Sequence, residues 1–305
     1  MALAVVTGTS SGIGLATAVA LARAGHTVVA TMRDLDRGAE IRQIATDEKL
    51  AIHLAAIDVD NDDSVRHGFP KITGERGPID VLVNNAGVGG GGAIEETPLD
   101  VFRQVMETNF FGGLRCIKAV VPDMRERRSG TIVNVTSIAG RLAMAPQASY
   151  AASKWAFEAL SECLAQEMRA FNVRVAIVEP GVIATPIFKK ARPIQPDSRY
   201  PHSKRMRAIF AAALANPTPP SLVGDAIRQI VDGDSWQLRY PVGPDALPVL
   251  KSRASKTDER HVGLHPGLVD DHKLRGRDPA LMGLPSRPLS RHVRTRLFLG
   301  QQRFF

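Results

Sequence analysis

The stretch Leu3-Ala4-Val5-Val6-Thr7-Gly8-Thr9-Ser10-Ser11-Gly12-Ile13-Gly14 decides how this chain is read. Its first five residues form a short apolar run suited to a strand buried on both faces. The Ala-rich segment that follows, to Ala24, reads as a helix. Between them lie three glycines in the spacing G-x-x-x-G-x-G. Strand, glycine turn and helix, in that order, make a dinucleotide site. Glycines permit the tight turn and let the backbone approach a pyrophosphate, whose charge is met by the helix N-terminus. Gly8, Ser10, Ser11, Gly12, Ile13 and Gly14 are therefore candidate cofactor contacts.

The alternation continues outward. His26–Thr31 reads as a second strand, running into Met32-Arg33. An acid at this point would hold the ribose hydroxyls of NAD. Arg33 instead offers a guanidinium fork to the extra phosphate of NADP, so NADP is the expected cofactor and NAD the second choice. The alternative for Arg33 is a solvated loop side chain, and Asp34 beside it argues the other way. Leu54–Val59 gives a third strand ending in Asp58 and Val59, and Val81–Val83 a fourth running into Asn84-Asn85-Ala86-Gly87. Ligands of open parallel sheets collect beyond such strand ends. Asp58, Val59, Asn85, Ala86 and Gly87 are thus candidates for the adenine and ribose side, although Asp, Asn and Gly also stop strands through turn chemistry alone. The run Gly89–Gly92 implies a flexible or closely approached backbone.

Between Pro98 and Met124 apolar residues recur at helical spacing, with Asn109 in the middle. An asparagine there costs helix propensity and asks for a compensating role, such as holding a backbone group or an ordered water. A fifth strand, Gly130 to Thr136, presents Ser137 at its end. The helix that follows, to about Ala170, carries Tyr150 and Lys154 four residues apart, hence on one face. A phenol beside an ammonium is an acid–base device, because the positive charge favours phenolate and lowers the tyrosine pKa. Val173–Val178, a sixth strand, leads into Glu179-Pro180-Gly181-Val182-Ile183-Ala184-Thr185. Six strands separated mostly by helices describe an α/β fold, a doubly wound parallel sheet of Rossmann type.

Bulk properties narrow the class. The 305 residues suit one α/β domain, residues 1–250, with a C-terminal extension, 251–305. The net charge of +8 is concentrated in that extension: 12 lysines and arginines stand against 5 acids from Lys251 onward, and 27 against 26 before it. A nearly neutral body argues against nucleic acid or a membrane surface as partner. The extension has scattered Arg, Pro, Gly and His without periodicity, as partly disordered segments do. Two cysteines, Cys116 and Cys163, suggest a reducing compartment and neither a disulfide framework nor a metal site. With no signal peptide in view and no apolar run long enough to span a bilayer, the expected location is cytoplasmic.

Taken together, Thr7-Gly8-x-x-x-Gly12-x-Gly14, Asp58, Asn84-Asn85-Ala86-Gly87, Asn109, Ser137, Tyr150-x-x-x-Lys154 and Pro180-Gly181 resemble the short-chain dehydrogenase/reductase superfamily in its single-domain branch. The match covers roughly residues 1–250. Thr31-Met32-Arg33-Asp34-Leu35 and Arg239-Tyr240-Pro241-Val242-Gly243 are further similar to hydroxysteroid- and retinol-dehydrogenase-like members. The resemblance implies hydride transfer between a nicotinamide cofactor and a ketone or secondary alcohol. It makes Tyr150 the acid that protonates a carbonyl, Lys154 the group that lowers its pKa and holds the nicotinamide ribose, and Ser137 the residue that polarises the substrate oxygen. It assigns Asn109 to an ordered water linking Lys154 to solvent, and Pro180, Gly181, Val182 and Thr185 to the nicotinamide end. It also implies a homodimer or homotetramer.

Residues 186–220 mix apolar and basic side chains and resemble the family's substrate lid. Ile187, Phe188, Met206, Ile209 and Phe210, with Val88, Leu142 and Met144, are expected to line a pocket for a hydrophobic substrate. A protein that uses the fold to sense a nucleotide without turnover is the reading from another class. An epimerase or dehydratase with the same Tyr and Lys is the nearest enzymatic rival. A sensor has no chemical use for Ser137, Tyr150 and Lys154 together, and an epimerase would call for another glycine spacing.

Overall fold

The computed structural model describes residues 1–190 and 197–263, and divides into a unit from Met1 to Leu247 and a second beginning at Pro248. Residues 191–196 of the expected lid and 264–305 of the extension lie outside the described residues.

In the first unit the strands are β1 (Leu3–Thr7), β2 (Thr27–Met32), β3 (Ile52–Ala56), β4 (Val81–Asn84), β5 (Gly130–Val135), β6 (Val173–Pro180) and β7 (Arg239–Val242). They form one parallel sheet in the order β3-β2-β1-β4-β5-β6-β7. The order reverses between β1 and β4, which opens a crevice beyond their C-terminal ends. Alternate residues of each strand face opposite helical layers. Ala4 and Val6 pack with α1 (Gly12–Arg23), α2 (Ala39–Asp47) and, further along the chain, α9 (Ser221–Asp232). Leu3 and Val5 pack with α3 (Asp62–Arg76), α5 (Gly113–Arg127) and α6 (Ala148–Arg169). Between these fall α4 (Leu99–Met106), α7 (Ile187–Lys190) and α8 (Pro201–Ala215). No helix among the described residues is long and apolar enough to cross a membrane.

Three features depart from the sequence reading. The third strand runs Ile52–Ala56 rather than Leu54–Val59, so Asp58 and Val59 lie beyond its end. The apolar periodicity from Pro98 to Met124 is not one helix: α4 and α5 are joined by a π-helical turn, Glu107–Gly112, that carries Asn109. A single wide turn leaves the apolar spacing on either side intact, so periodicity cannot reveal it. The seventh strand was not expected either. β7 has four residues including Pro241, which lacks an N–H, and both features suit an edge strand and hide it in sequence.

α10 (Ala246–Ala254) begins in the first unit and continues into the second, where α11 (Asp258–Val262) follows it; the N-cap Thr257 of α11 accepts a hydrogen bond from Arg260 N, and Arg253 pairs with Asp258 at 2.6 Å.

The crevice is held open by Thr7. Its Oγ1 accepts hydrogen bonds from the N–H of Asn85 and of Ala86, both at 3.0 Å, and so fixes the end of β4 against the end of β1. Thr7→Val keeps the shape but leaves two buried donors unmatched, and each such donor costs roughly 1–3 kcal/mol. The variant should therefore show a clearly lower urea midpoint with an unchanged m-value.

Candidate active site

At the crevice one cleft of about 430 Å³ is walled by residues from six strand ends. One end of it is the glycine turn after β1. Gly8 has φ +71°, and a Cβ there would lie 2.8 Å from Ala86 Cα; Gly12 has φ +63° and faces Thr185. A side chain at Gly14 would collide with the Gly8 carbonyl and the Asn85 amide. Only glycine fits this packing, and Ser11, at the N-cap of α1, places no side-chain cap on the first-turn N–H groups. Such a turn suits an anionic group of a dinucleotide. Asn85 also works for the turn, since its Nδ2 donates to the carbonyls of Thr7 (2.8 Å) and Gly8 (3.2 Å).

Further along, Arg33 and Arg37 lie on the wall with Asp34, Asp58 and Asp60. Asp34 is exposed on this wall, and its Oδ1 accepts from Asp36 N at 3.0 Å. Asp58 Oδ1 accepts from Asp60 N at 3.2 Å, a turn-forming contact, while remaining part of the wall. Arg33 Nη1 stands 3.9 Å from Asp60 Oδ2, which also accepts from Thr108 at 2.9 Å. Burial raises the Asp60 carboxyl above the usual carboxylate range, against the Thr108 hydrogen bond.

The opposite end brings together Ser137, Tyr150 and Lys154. Ser137 Oγ accepts from Ala139 N (3.1 Å) and donates to Pro180 O (3.4 Å), which ties β5's end to β6's end. Tyr150 and Lys154 share one face of α6, with Lys154 Nζ 5.7 Å from the Tyr150 ring centre. The ammonium is buried and donates to Val135 O at 3.0 Å. Burial pushes its pKa down to about 8, with the charge of Glu158 acting the other way. The phenol differs from the sequence expectation. Burial raises its pKa, and the influence that opposes burial is a hydrogen bond with Ser137 rather than the lysine charge.

Asn109 lies behind this wall and not in it. Its Oδ1 accepts from Val88 N (2.8 Å) and its Nδ2 donates to Val88 O (3.0 Å) and Ser153 Oγ (3.0 Å). The π turn thus braces the backbone after β4, the first of the two roles its sequence position suggested. A Cβ on Gly87 would lie 3.2 Å from Asn109 Oδ1 and 3.7 Å from Lys154 Nζ, so the backbone after β4 passes close to both side chains.

Of the other expected contacts, Ser10, Ser11, Ile13, Val59, Ala86, Gly87, Pro180, Gly181 and Thr185 line the cleft. Gly14 and Val182 do not: Gly14 serves the turn, and Val182 N donates to Asp245 Oδ2 at 2.8 Å. In the expected substrate region Val88, Ile187 and Phe188 line the cleft, and Phe188 packs edge-on against Phe210 at 5.2 Å. Leu142 and Met206 are instead buried in packing. Sequence reading missed Arg37, Asp60 and Thr108. Asp60 follows β3 two residues after Asp58, a signal that was there to be used.

Residues 2–196 match the family model described as short chain dehydrogenase. The chain belongs to the short-chain dehydrogenase family. It is an oxidoreductase by that membership, and the relatives of this short-chain dehydrogenase agree. A 3-ketodihydrosphingosine reductase of Bacteroides thetaiotaomicron is 36% identical over 78% of this chain and 87% of that protein. Retinol dehydrogenase 8 of Bos taurus is 44% identical over 59% of this chain and 58% of that protein. Among solved structures, a short-chain dehydrogenase from Streptomyces avermitilis superposes with a TM-score of 0.74 at 33% identity, covering 86% of this chain and 98% of that one. A variant of actinorhodin polyketide ketoreductase with NADPH gives 0.67 at 28% identity, covering 80% and 91%.

The depressed Lys154 has a stability signature. Its folded pKa of about 8 lies below the ordinary 10.5, so between these values the unfolded chain binds more protons and stability rises with pH. Below about pH 8 the full cost of burying the ammonium is present, on the order of 3 kcal/mol at 1.36 kcal/mol per pKa unit. Lys154→Met should accordingly be more stable than the parent at pH 7 in urea titrations, and the difference should close as pH rises through this window.

Proposed function

We propose that this short-chain dehydrogenase uses NADP to interconvert a hydrophobic ketone and its secondary alcohol. The observation that carries the reading is the single cleft, with a glycine turn at one end and Ser137, Tyr150 and Lys154 at the other. The bound nicotinamide would supply the hydride. The protein supplies orientation and a proton. Ser137 Oγ and the Tyr150 phenol line the same end of the cleft and are placed to receive the substrate oxygen between them. A phenol with a raised pKa stays protonated at neutral pH, which is the form that donates to a developing alkoxide. Lys154, fixed by Val135 O, holds positive charge close by and stabilises phenolate once the proton has gone. Asn109 Oδ1 keeps a lone pair near that ammonium for an ordered water.

NADP rather than NAD is supported by Arg33 and Arg37 on the cleft wall. The related polyketide ketoreductase is a structure with NADPH. A hydrophobic substrate is supported by Val88, Ile187 and Phe188 beside the catalytic end, and by relatives named for retinol and for 3-ketodihydrosphingosine.

Oxidation of NADPH against a panel of hydrophobic ketones, sugars and short hydroxy acids tests the reading. Turnover is expected with the first class, and Tyr150→Phe should lower kcat by about 100-fold or more. Arg33→Ser should raise the KM for NADPH by about tenfold and leave NADH nearly unaffected, as expected for the loss of one charge-assisted contact. Turnover confined to polar substrates, or an Arg33→Ser effect equal for both cofactors, would contradict it.

We also propose a dimer through the helix pair α4 and α6. Leu99, Phe111 and Trp155 are exposed on these elements and the turn between α4 and α5, and a partner helix pair would cover them. Trp155→Glu should convert a dimer to a monomer in sedimentation equilibrium.

A further inference from the structure

Behind the catalytic wall the structure holds charged side chains that the proposed reaction does not touch. Glu158 lies one turn beyond Lys154 on α6 and is 4% exposed; Glu179, at the end of β6, is 0% exposed. Donors reach Glu158 from two other elements. Thr136 Oγ1, in the residue before Ser137, donates to Glu158 Oε1 at 2.6 Å, and Arg239 Nε from β7 donates to Oε2 at 3.0 Å. Arg239 also stands 3.6 Å from Glu179 and pairs with Glu162 at 2.5 Å, while Arg141 is 3.5 Å from Glu179. Buried carboxylates survive only with such partners.

The packing around Glu158 is equally close. A Cβ on Gly140 would lie 2.7 Å from Glu158 Cγ and 3.0 Å from Lys154 O. The short turn after Ser137 therefore rests directly on α6 between the lysine and the glutamate, with no room for a side chain. Residues i and i+4 share a helix face, so the Glu158 carboxylate belongs to the face that presents Lys154.

We propose that Glu158 is a positioning residue for the reaction: with Thr136 and Arg239 it pins the Lys154 face of α6 to the strand end bearing Ser137, and supplies the negative charge behind the buried ammonium. This rests on the roles given to Ser137, Tyr150 and Lys154 under the proposed function. The groups facing Glu158 are Lys154 and Glu162 from α6, Thr136 from just beyond β5, Glu179 from β6 and Arg239 from β7, with Arg141 beyond Glu179. Among them Glu179, pushed up to about 6 by burial and by the Glu158 charge, is the carboxyl that takes a proton as pH falls. Glu158 is the influence that holds Lys154 up against desolvation.

The test is Glu158→Gln, which keeps shape and removes charge, read in two ways. Lys154 is titrated by NMR in protein with 13Cε-labelled lysine, its signal assigned by its loss in Lys154→Met. The pH profiles of kcat and KM for ketone reduction are then measured. In Glu158→Gln the Lys154 titration should move down by about half a pH unit or more, a threefold change in its ionisation constant. The alkaline limb of kcat should move with it while KM changes little, and Glu158→Asp should restore both. A folded Glu158→Gln protein whose Lys154 titrates where the parent's does would overturn the proposal, including one slower at every pH, as expected of a purely structural brace. If Glu158→Gln does not fold, Thr136→Val removes one donor from the carboxylate. A smaller shift in the same direction supports the proposal, and an unmoved Lys154 rejects it. Absence of turnover in the parent would sink the proposed function while leaving the NMR shift to decide this inference.

Discussion

The hydrogen bond from the Lys154 ammonium to the Val135 carbonyl is the contact on which the site depends. It joins α6, which carries Tyr150, to the end of β5, two residues before Ser137, across 19 residues of chain. An ammonium in the interior is costly, and its pKa of about 8 records that cost. The surrounding structure offsets it by geometry. Val135 offers a carbonyl beyond its ladder partners, Gly87 and Gly140 let neighbouring backbone approach, and Glu158 adds a compensating charge one turn away. A charge kept at expense beside a phenol supports the acid–base role proposed for this pair.

The cleft itself follows from the sheet. Where the strand order reverses, the ends of β1 and β4 diverge to opposite crossovers, and Thr7 ties them so that the opening has a fixed width. The glycine turn then brings the α1 N-terminus to one end of the opening, while β5 and α6 bring the acid–base pair to the other. The π turn between α4 and α5 connects the two regions: Thr108 reaches Asp60 at the nucleotide end, and Asn109 reaches Val88 beside the catalytic end. Adjacent residues of one irregular turn thus brace both halves of the cleft. On the outer side of the catalytic end, Ser198 and Arg199 N bond Glu96 at 2.7 and 3.0 Å, which fastens the start of the α8 region to the loop after β4.

Much of this was legible in sequence because it is local. The run Leu3–Thr7, the glycine turn and the Tyr150/Lys154 spacing are each read within one element, and the structure places them as read. What stayed hidden depends on contacts between distant positions. Arg239 meets Glu158 across 81 residues, and nothing in either neighbourhood announces the other. The π turn leaves apolar periodicity undisturbed, and β7 is masked by its proline. The glycines after β4 were open to two readings, flexible or closely approached. Contacts decide for the second, since a side chain at Gly90 would strike Ser149, and Gly92 N bonds Pro146 O. Tyr150 shows a different limit: the lysine spacing is visible in sequence, but the burial that raises the phenol's pKa is not.

The central claim is that Tyr150 delivers a solvent-derived proton to an oxygen whose carbon receives a hydride in the same cleft. Its most direct test is ketone reduction with NADPH deuterated at the reactive ring position, followed by mass spectrometry of the alcohol. The account predicts one deuterium on the carbinol carbon, retained in ordinary water, with the Tyr150→Phe protein forming almost none of this product. Deuterium lost to solvent, or labelled alcohol formed at the parent's rate without the phenol, would contradict it.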